Sequence, residues 1–134
     1  MLLIVLLVQL IILTPAWHIP DGEFDGQASN PYINLKCHFD TTGPEPTVVI
    51  EANCDGREWH KTGLPLKLKT SKDGIFVIPN IGAKPVYRAF IGWLRFRCAG
   101  RFKEGDFATY KVTSVGNQVK ISEEGRWVDI FKAR

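Results

Sequence analysis

The feature that most constrains this chain is a strict alternation of apolar and polar residues in short segments, each cut off by a turn signal. In Ile33-Asn34-Leu35-Lys36-Cys37-His38-Phe39 the apolar side chains fall on one side and Asn34, Lys36 and His38 on the other. A period of two is the mark of a strand with one buried face. Alternation returns in LKLKT (66–70), and TVVIEA (47–52), which is β-branched and compact, IFVI (75–78), FATYKVTSV (107–115), QVKIS (118–122) and RWVDIF (126–131) read as further strands. Gly43-Pro44, Asp55-Gly56, Asp73-Gly74, Gly116-Asn117 and Glu124-Gly125 punctuate these runs as turns. Val86–Cys98 reads as a further long β-rich run interrupted by Gly92, with Arg95 and Arg97 toward water and Leu94, Phe96 and Cys98 inward. Seven or eight strands are expected, and no stretch sustains a helical period. That spacing predicts an all-β, antiparallel sandwich or barrel. Residues 17–32, rich in Gly, Pro, Asp and Asn, are expected to be an irregular N-terminal arm, and residues 33–134 a single domain.

The chain opens with thirteen residues without a charge, MLLIVLLVQLIIL, followed by Thr14-Pro15-Ala16. An apolar run closed by small residues reads as a secretory signal peptide over residues 1–16. It falls short of the ~20 residues needed to span a bilayer, so no transmembrane segment is expected in the mature chain. A net charge of +3 is too small to imply nucleic acid, and export points away from it. The expected location is extracellular. Of three cysteines, Cys37, Cys54 and Cys98, an oxidising compartment allows one internal bridge in three possible ways.

Four segments together suggest a family. INLKC (33–37) ends an early strand in Cys, and VVIEA (48–52) follows. KTSKDGIFVIPNI (69–81) carries a DG-x-F hairpin, and WLRFRC (93–98) ends a later segment in a second Cys. This order resembles the secreted, nematode-type transthyretin-like family over about residues 33–100. The resemblance implies an extracellular two-sheet sandwich used for binding. It sets Cys37 and Cys98 in the two Cys-ending strands as the bridge, which would close a loop of about 60 residues and contribute ~4 kcal/mol. Cys54 would then be free or intermolecular. Neither Arg97 nor Phe96 before it supplies the His that the family has near the second Cys. The ending IFKAR lacks the Tyr-Arg-Gly-Ser of the related hydroxyisourate hydrolases, so their catalysis is not carried over.

Little in the chain announces chemistry. His18, His38 and His60 have no partner at metal-ligand spacing, and neither CxxC nor HExxH occurs, so no metal and no cofactor are expected. Cys54 and His60 stand six residues apart and raise a small Cys/His enzyme as a remote alternative. DGEFDG (21–26) holds three acids without the full calcium-loop pattern, and reads as a solvated arm. Trp59, Trp93 and Trp127 are read mainly as core-filling, with Trp93 a possible anchor. The strongest surface is basic and aromatic: Trp93, Arg95, Arg97, Arg101 and Lys103. Arginine forks suit phosphate and carboxylate groups. The expected function is therefore that of a secreted, non-enzymatic protein that binds a protein or an anionic surface, such as a phospholipid head group or a glycan. The alternative is a carrier of a small apolar ligand in a pocket or at a dimer interface, and a homodimer is compatible with either.

Overall fold

Turn chemistry and strand alternation set the frame. The computed structural model describes residues 17–134 apart from 29–32, 55, 57, 99, 100 and 115. The expected signal peptide lies outside the described residues. In chain order the elements are β1 (Gly22–Ala28), β2 (Ile33–Asp40), β3 (Thr47–Cys54), β4 (His60–Lys61), β5 (Leu66–Lys67), β6 (Lys69–Lys72), β7 (Ile75–Val77), helix α1 (Pro85–Arg97), β8 (Thr109–Val112), β9 (Gln118–Glu123) and β10 (Arg126–Lys132). Asp73-Gly74 turns β6 into β7 with Gly74 at φ +76°. Glu124 and Gly125 both take positive φ between β9 and β10. That is the backbone a two-residue hairpin of matching twist requires.

All pairings are antiparallel, and they run unbroken as β4-β3-β2-β1-β10-β9-β8-β7-β6. The ends of this single sheet are joined by one segment. β5 pairs with β3 through Thr47↔Lys67 and Val48↔Leu66, and the Leu68 amide donates to the Pro46 carbonyl at 2.9 Å. One residue later β6 pairs with β7. The sheet therefore curls until its two ends share residues 66–72. The expected all-β, antiparallel character is present. In place of two facing sheets there is one continuous curled sheet, because a single segment bonds to both ends.

The inward faces form the core, with Ile33, Leu35, Cys37 and Phe39 of β2 opposite Val119 and Ile121 of β9 and Ile130 of β10. Phe24 meets Phe39 edge-on at 5.5 Å, and Phe39 meets Tyr110 at 5.6 Å. Such aromatic contacts fill the interior with large side chains.

Three expectations are corrected. The first concerns residues 17–32, read as an irregular arm. Residues 22–28 are instead a strand at the middle of the sheet, paired with β2 from Gly22↔Phe39 to Ala28↔Ile33 and with β10. Its inward positions include Gly22, Phe24 and Gly26, so glycines stand where apolar side chains would have shown the alternation. Gly26 is required by close approach. A Cβ there would lie 2.5 Å from the Asp129 carbonyl oxygen and 2.6 Å from Ile130 Cγ2.

The second correction is that Val86–Cys98 is not a strand. Pro85 opens helix α1, which suits its fixed φ and missing N–H. Tyr87, Phe90, Ile91 and Leu94 are buried at i, i+3, i+4 and i+7, the stripe of a helix lying on a core. Phe96, expected inward, is 80% exposed.

The third correction concerns the cysteines. The bridge joins Cys54 at the end of β3 to Cys98 just after α1, with Cα atoms 5.9 Å apart. Cys37 is the free thiol. Its alternation points it into the interior, away from Cys98, and burial pushes its pKa far up. No described helix is long and apolar enough to cross a membrane.

Two measurements check this account. Gly26→Ala is expected to cost about 1–3 kcal/mol in urea unfolding through overpacking against β10; an unchanged midpoint would contradict the close β1–β10 approach. Iodoacetamide should modify one thiol per chain, Cys37, and only after denaturation, because a buried, protonated thiol does not react. Labelling of Cys54 or Cys98 in the unreduced protein would contradict the assigned bridge.

Candidate functional site

Successive helical residues are turned by about 100°, so Arg95 and Arg97 stand roughly 200° apart on α1. Strand alternation would have aligned them; the helix sends them to different neighbourhoods. Arg97 lies over the Trp93 ring at 5.4 Å and pairs with Glu58 at 3.4 Å. Trp93 is part-buried and stacks on His60, ring centroids 4.0 Å apart. Burial among these rings pulls the His60 pKa down, against an opposing pull from Glu58. Arg95 lines a separate groove with Arg88 and Glu104. Arg101 sits beside the fully buried Glu123 at 3.7 Å and Glu124 at 3.6 Å. Lys103 is exposed in the following loop, where its amide donates to Asp106 Oδ2 at 3.1 Å. Of the five residues, Trp93 and Arg97 are in contact, while Arg95 and Arg101 have other neighbours.

The loop that holds Arg101 and Lys103 is organised by Asp106. Its Oδ1 accepts from the Glu124 amide at 2.9 Å, and its carbonyl accepts from the Tyr87 hydroxyl at 2.7 Å. The Gly105 amide in turn donates to that hydroxyl at 2.8 Å. These bonds anchor the loop to α1 and to the β9–β10 turn. Cys54 is consumed by the bridge to Cys98, so it cannot act as a nucleophile with His60.

A different surface is concave. On β10, alternation puts Val128 and Ile130 inward and Trp127, Asp129 and Phe131 outward. The outward face of β1 adds Asp25 and Gln27, that of β2 adds Asn34 and Lys36, and Trp59 stands over them from the loop before β4. Together they line an open groove of about 670 Å³. Its rings are uncovered: Trp59 is 38%, Trp127 43% and Phe131 53% exposed. Core filling is expected of at least two of Trp59, Trp93 and Trp127, and two of them, Trp59 and Trp127, lie outside the core.

The polar floor of the groove is ordered. Gln27 donates to Asn34 Oδ1 at 3.1 Å, and Asn34 donates to Asn53 Oδ1 at 2.8 Å. The Lys36 ammonium lies 4.6 Å over the Trp59 ring. Asp129 accepts from Lys120 at 2.7 Å, and that bond holds its carboxyl below the usual range. Asp25 Oδ1 is screened from solvent without a hydrogen-bond partner.

Further along the same outer face, β1, β2 and β3 bring Glu23, His38 and Glu51 together. Glu23 and His38 are direct cross-strand partners, and Glu51 lies two residues beyond Val49, the partner of His38 on β3. His38 Nε2 is 2.6 Å from Glu51 Oε2 and 3.6 Å from Glu23 Oε1. The acids of DGEFDG therefore do not act as one loop. Asp21 accepts from Thr41, Glu23 joins this cluster and Asp25 enters the groove.

No protein-family model, curated protein or solved structure matches this chain. The signal for the groove was present in RWVDIF, where the residues opposite Val128 and Ile130 are two aromatics and an acid. The partners of those residues on β1 were hidden by the loop-like composition of GEFDGQA.

Glu123 generates a pH test. Burial pushes its carboxyl pKa up and Glu124 adds to this, while Arg126 and Arg101 pull the other way. The net direction is upward, so the folded state takes the proton at higher pH than the unfolded chain. Stability from this group is present at low pH and lost as pH rises through the folded pKa. Relative to a Glu123→Gln variant, the wild type should lose stability in urea titrations as pH rises above the ordinary glutamate range and through the raised folded pKa. A difference moving the other way would count against the buried-carboxyl account.

Proposed function

We propose that this chain is an exported, non-enzymatic binding protein whose ligand surface is the outer groove of β1, β2 and β10, and that its ligand is a glycan. The observation that carries the reading is the placement of three exposed rings, Trp59, Trp127 and Phe131, around a floor of Asp25, Gln27, Asn34 and Asp129. A sugar ring has apolar C–H faces and a rim of hydroxyls. Flat aromatic side chains cover the first, and carboxylate and carboxamide groups bond the second. Recognition sites commonly combine a mostly apolar concavity with a few placed polar groups. The Asn53–Asn34–Gln27 chain orients its amides before any ligand arrives, which lowers the ordering cost of binding.

Export is supported by the apolar leader and by the Cys54–Cys98 bridge, which suits an oxidising compartment. The transthyretin-like reading rests on the sequence segments alone. Phospholipid head groups fit the groove less well than sugars. Lys36 and Arg126 are set against Asp25 and Asp129, so the lining carries both signs of charge. The apolar-carrier alternative draws no support from the interior, where Phe24, Phe39 and Tyr110 meet one another.

A panel of neutral and acidic oligosaccharides, read by tryptophan fluorescence, tests the proposal. Binding should quench the signal and weaken about tenfold, ~1.4 kcal/mol, in Trp127→Ala and in Trp59→Ala. Raising salt should change the binding of a neutral sugar little, since its contacts are not between net charges. Absence of any sugar ligand across the panel, or binding indifferent to both substitutions, overturns it.

A further inference from the structure

We propose that Glu23, His38 and Glu51 form a binding site for a divalent transition-metal ion, for which zinc is the natural probe. The proposal is independent of the glycan reading. The three side chains project from adjacent strands on the outer face, and their ligand atoms all lie within 4.8 Å of one another. β1, β2 and β3 lie side by side in the sheet, so their registers are fixed by full ladders of backbone bonds. The site is thus held by backbone geometry and does not depend on one flexible loop.

The distances suit one ion. Zinc binds imidazole nitrogen and carboxylate oxygen at ~2.0–2.2 Å, which sets ligand atoms about 3.3 Å apart in a tetrahedron. His38 Nε2 and Glu23 Oε1 already stand 3.6 Å apart. His38 Nε2 and Glu51 Oε2, at 2.6 Å, need only a small side-chain rotation to open. In the metal-free protein that short contact is a hydrogen bond, so a proton lies between the two atoms; the ion takes its place and the proton leaves to solvent. Calcium and magnesium prefer all-oxygen shells, whereas an imidazole with two carboxylates suits zinc and its neighbours. The three side chains are 39%, 40% and 23% exposed for His38, Glu23 and Glu51, which leaves an entry path and an open fourth position.

The charged residues beside Glu51 on the neighbouring strands are Lys36 and Lys61, and Asp25 follows Glu23 along the outer face of β1. The Lys36 ammonium is drawn over Trp59, clear of the cluster. The competing account is a plain surface ion pair between a protonated His38 and its two glutamates, worth little to stability.

Zinc titration of the untagged chain, followed by native mass spectrometry and calorimetry, decides between them. The expected result is one zinc per chain and no comparable calcium uptake. His38→Ala and Glu51→Gln should each weaken zinc binding about tenfold or more, and His60→Gln should leave it unchanged. In the wild type the His38 ring proton resonances should move on zinc addition, a readout that does not depend on any variant folding. A chain that takes up no zinc, uptake that survives both His38→Ala and Glu51→Gln, or unmoved His38 resonances would each overturn the proposal.

Discussion

The hydrogen bonds that residues 66–72 make to both ends of the sheet are the constraint on which the rest depends. Through β5 the segment completes β3, and through β6 it completes β7. An antiparallel sheet left open would present unpaired edge groups to other chains. The curl reduces that liability and fixes which face of the strands points inward. Once the inside is defined, each alternating segment has only one way round, because a one-residue slip would turn its apolar set to water.

Closure has a local requirement at Gly26. β1 and β10 approach so tightly there that the Asp129 carbonyl and Ile130 occupy the space of a Cβ. The same approach lays the outward residues of β1 beside those of β10, and so places Asp25 opposite Phe131, in the groove that Trp127 also lines. The feature that lets the sheet close is also the one that assembles the groove. The helix has a different part. It covers core residues with Tyr87, Phe90, Ile91 and Leu94, and the Cys54–Cys98 bridge ties its end to β3. Its arginines are spent on local partners or spread around its circumference.

Legibility followed the strength of the local signal. β2, β3, β9 and β10 were readable because apolar residues, such as Val48 and Ile50 or Val119 and Ile121, recur at every second inward position. β1 was not, since Gly22 and Gly26 share its inward face with Phe24, and Gly26 is demanded by a neighbour distant in sequence. Helix α1 differs from the expected strand because Val86, Tyr87, Phe90, Ile91 and Trp93 favour strands by composition, while Tyr87, Phe90, Ile91 and Leu94 stand at the helical spacing i, i+3, i+4 and i+7. Packing on the core decided between the two, as tertiary context does when propensities are weak. The Cys37–Cys98 pairing failed for the same reason: a residue placed by alternation inside the curl cannot reach one at the end of an outer helix.

The sequence by itself determined the antiparallel, all-β character, the hairpins at Asp73-Gly74 and Glu124-Gly125, and which side chains of most strands are buried. These follow from backbone freedom at glycine and from a period of two, both local properties. Only the tertiary structure decided the partners across strands: Cys54 with Cys98, Glu23 with His38 and Glu51, and Trp127 and Phe131 with Asp25 and Trp59. Those meetings depend on register and closure between segments far apart in the chain, which alternation within any one segment does not encode.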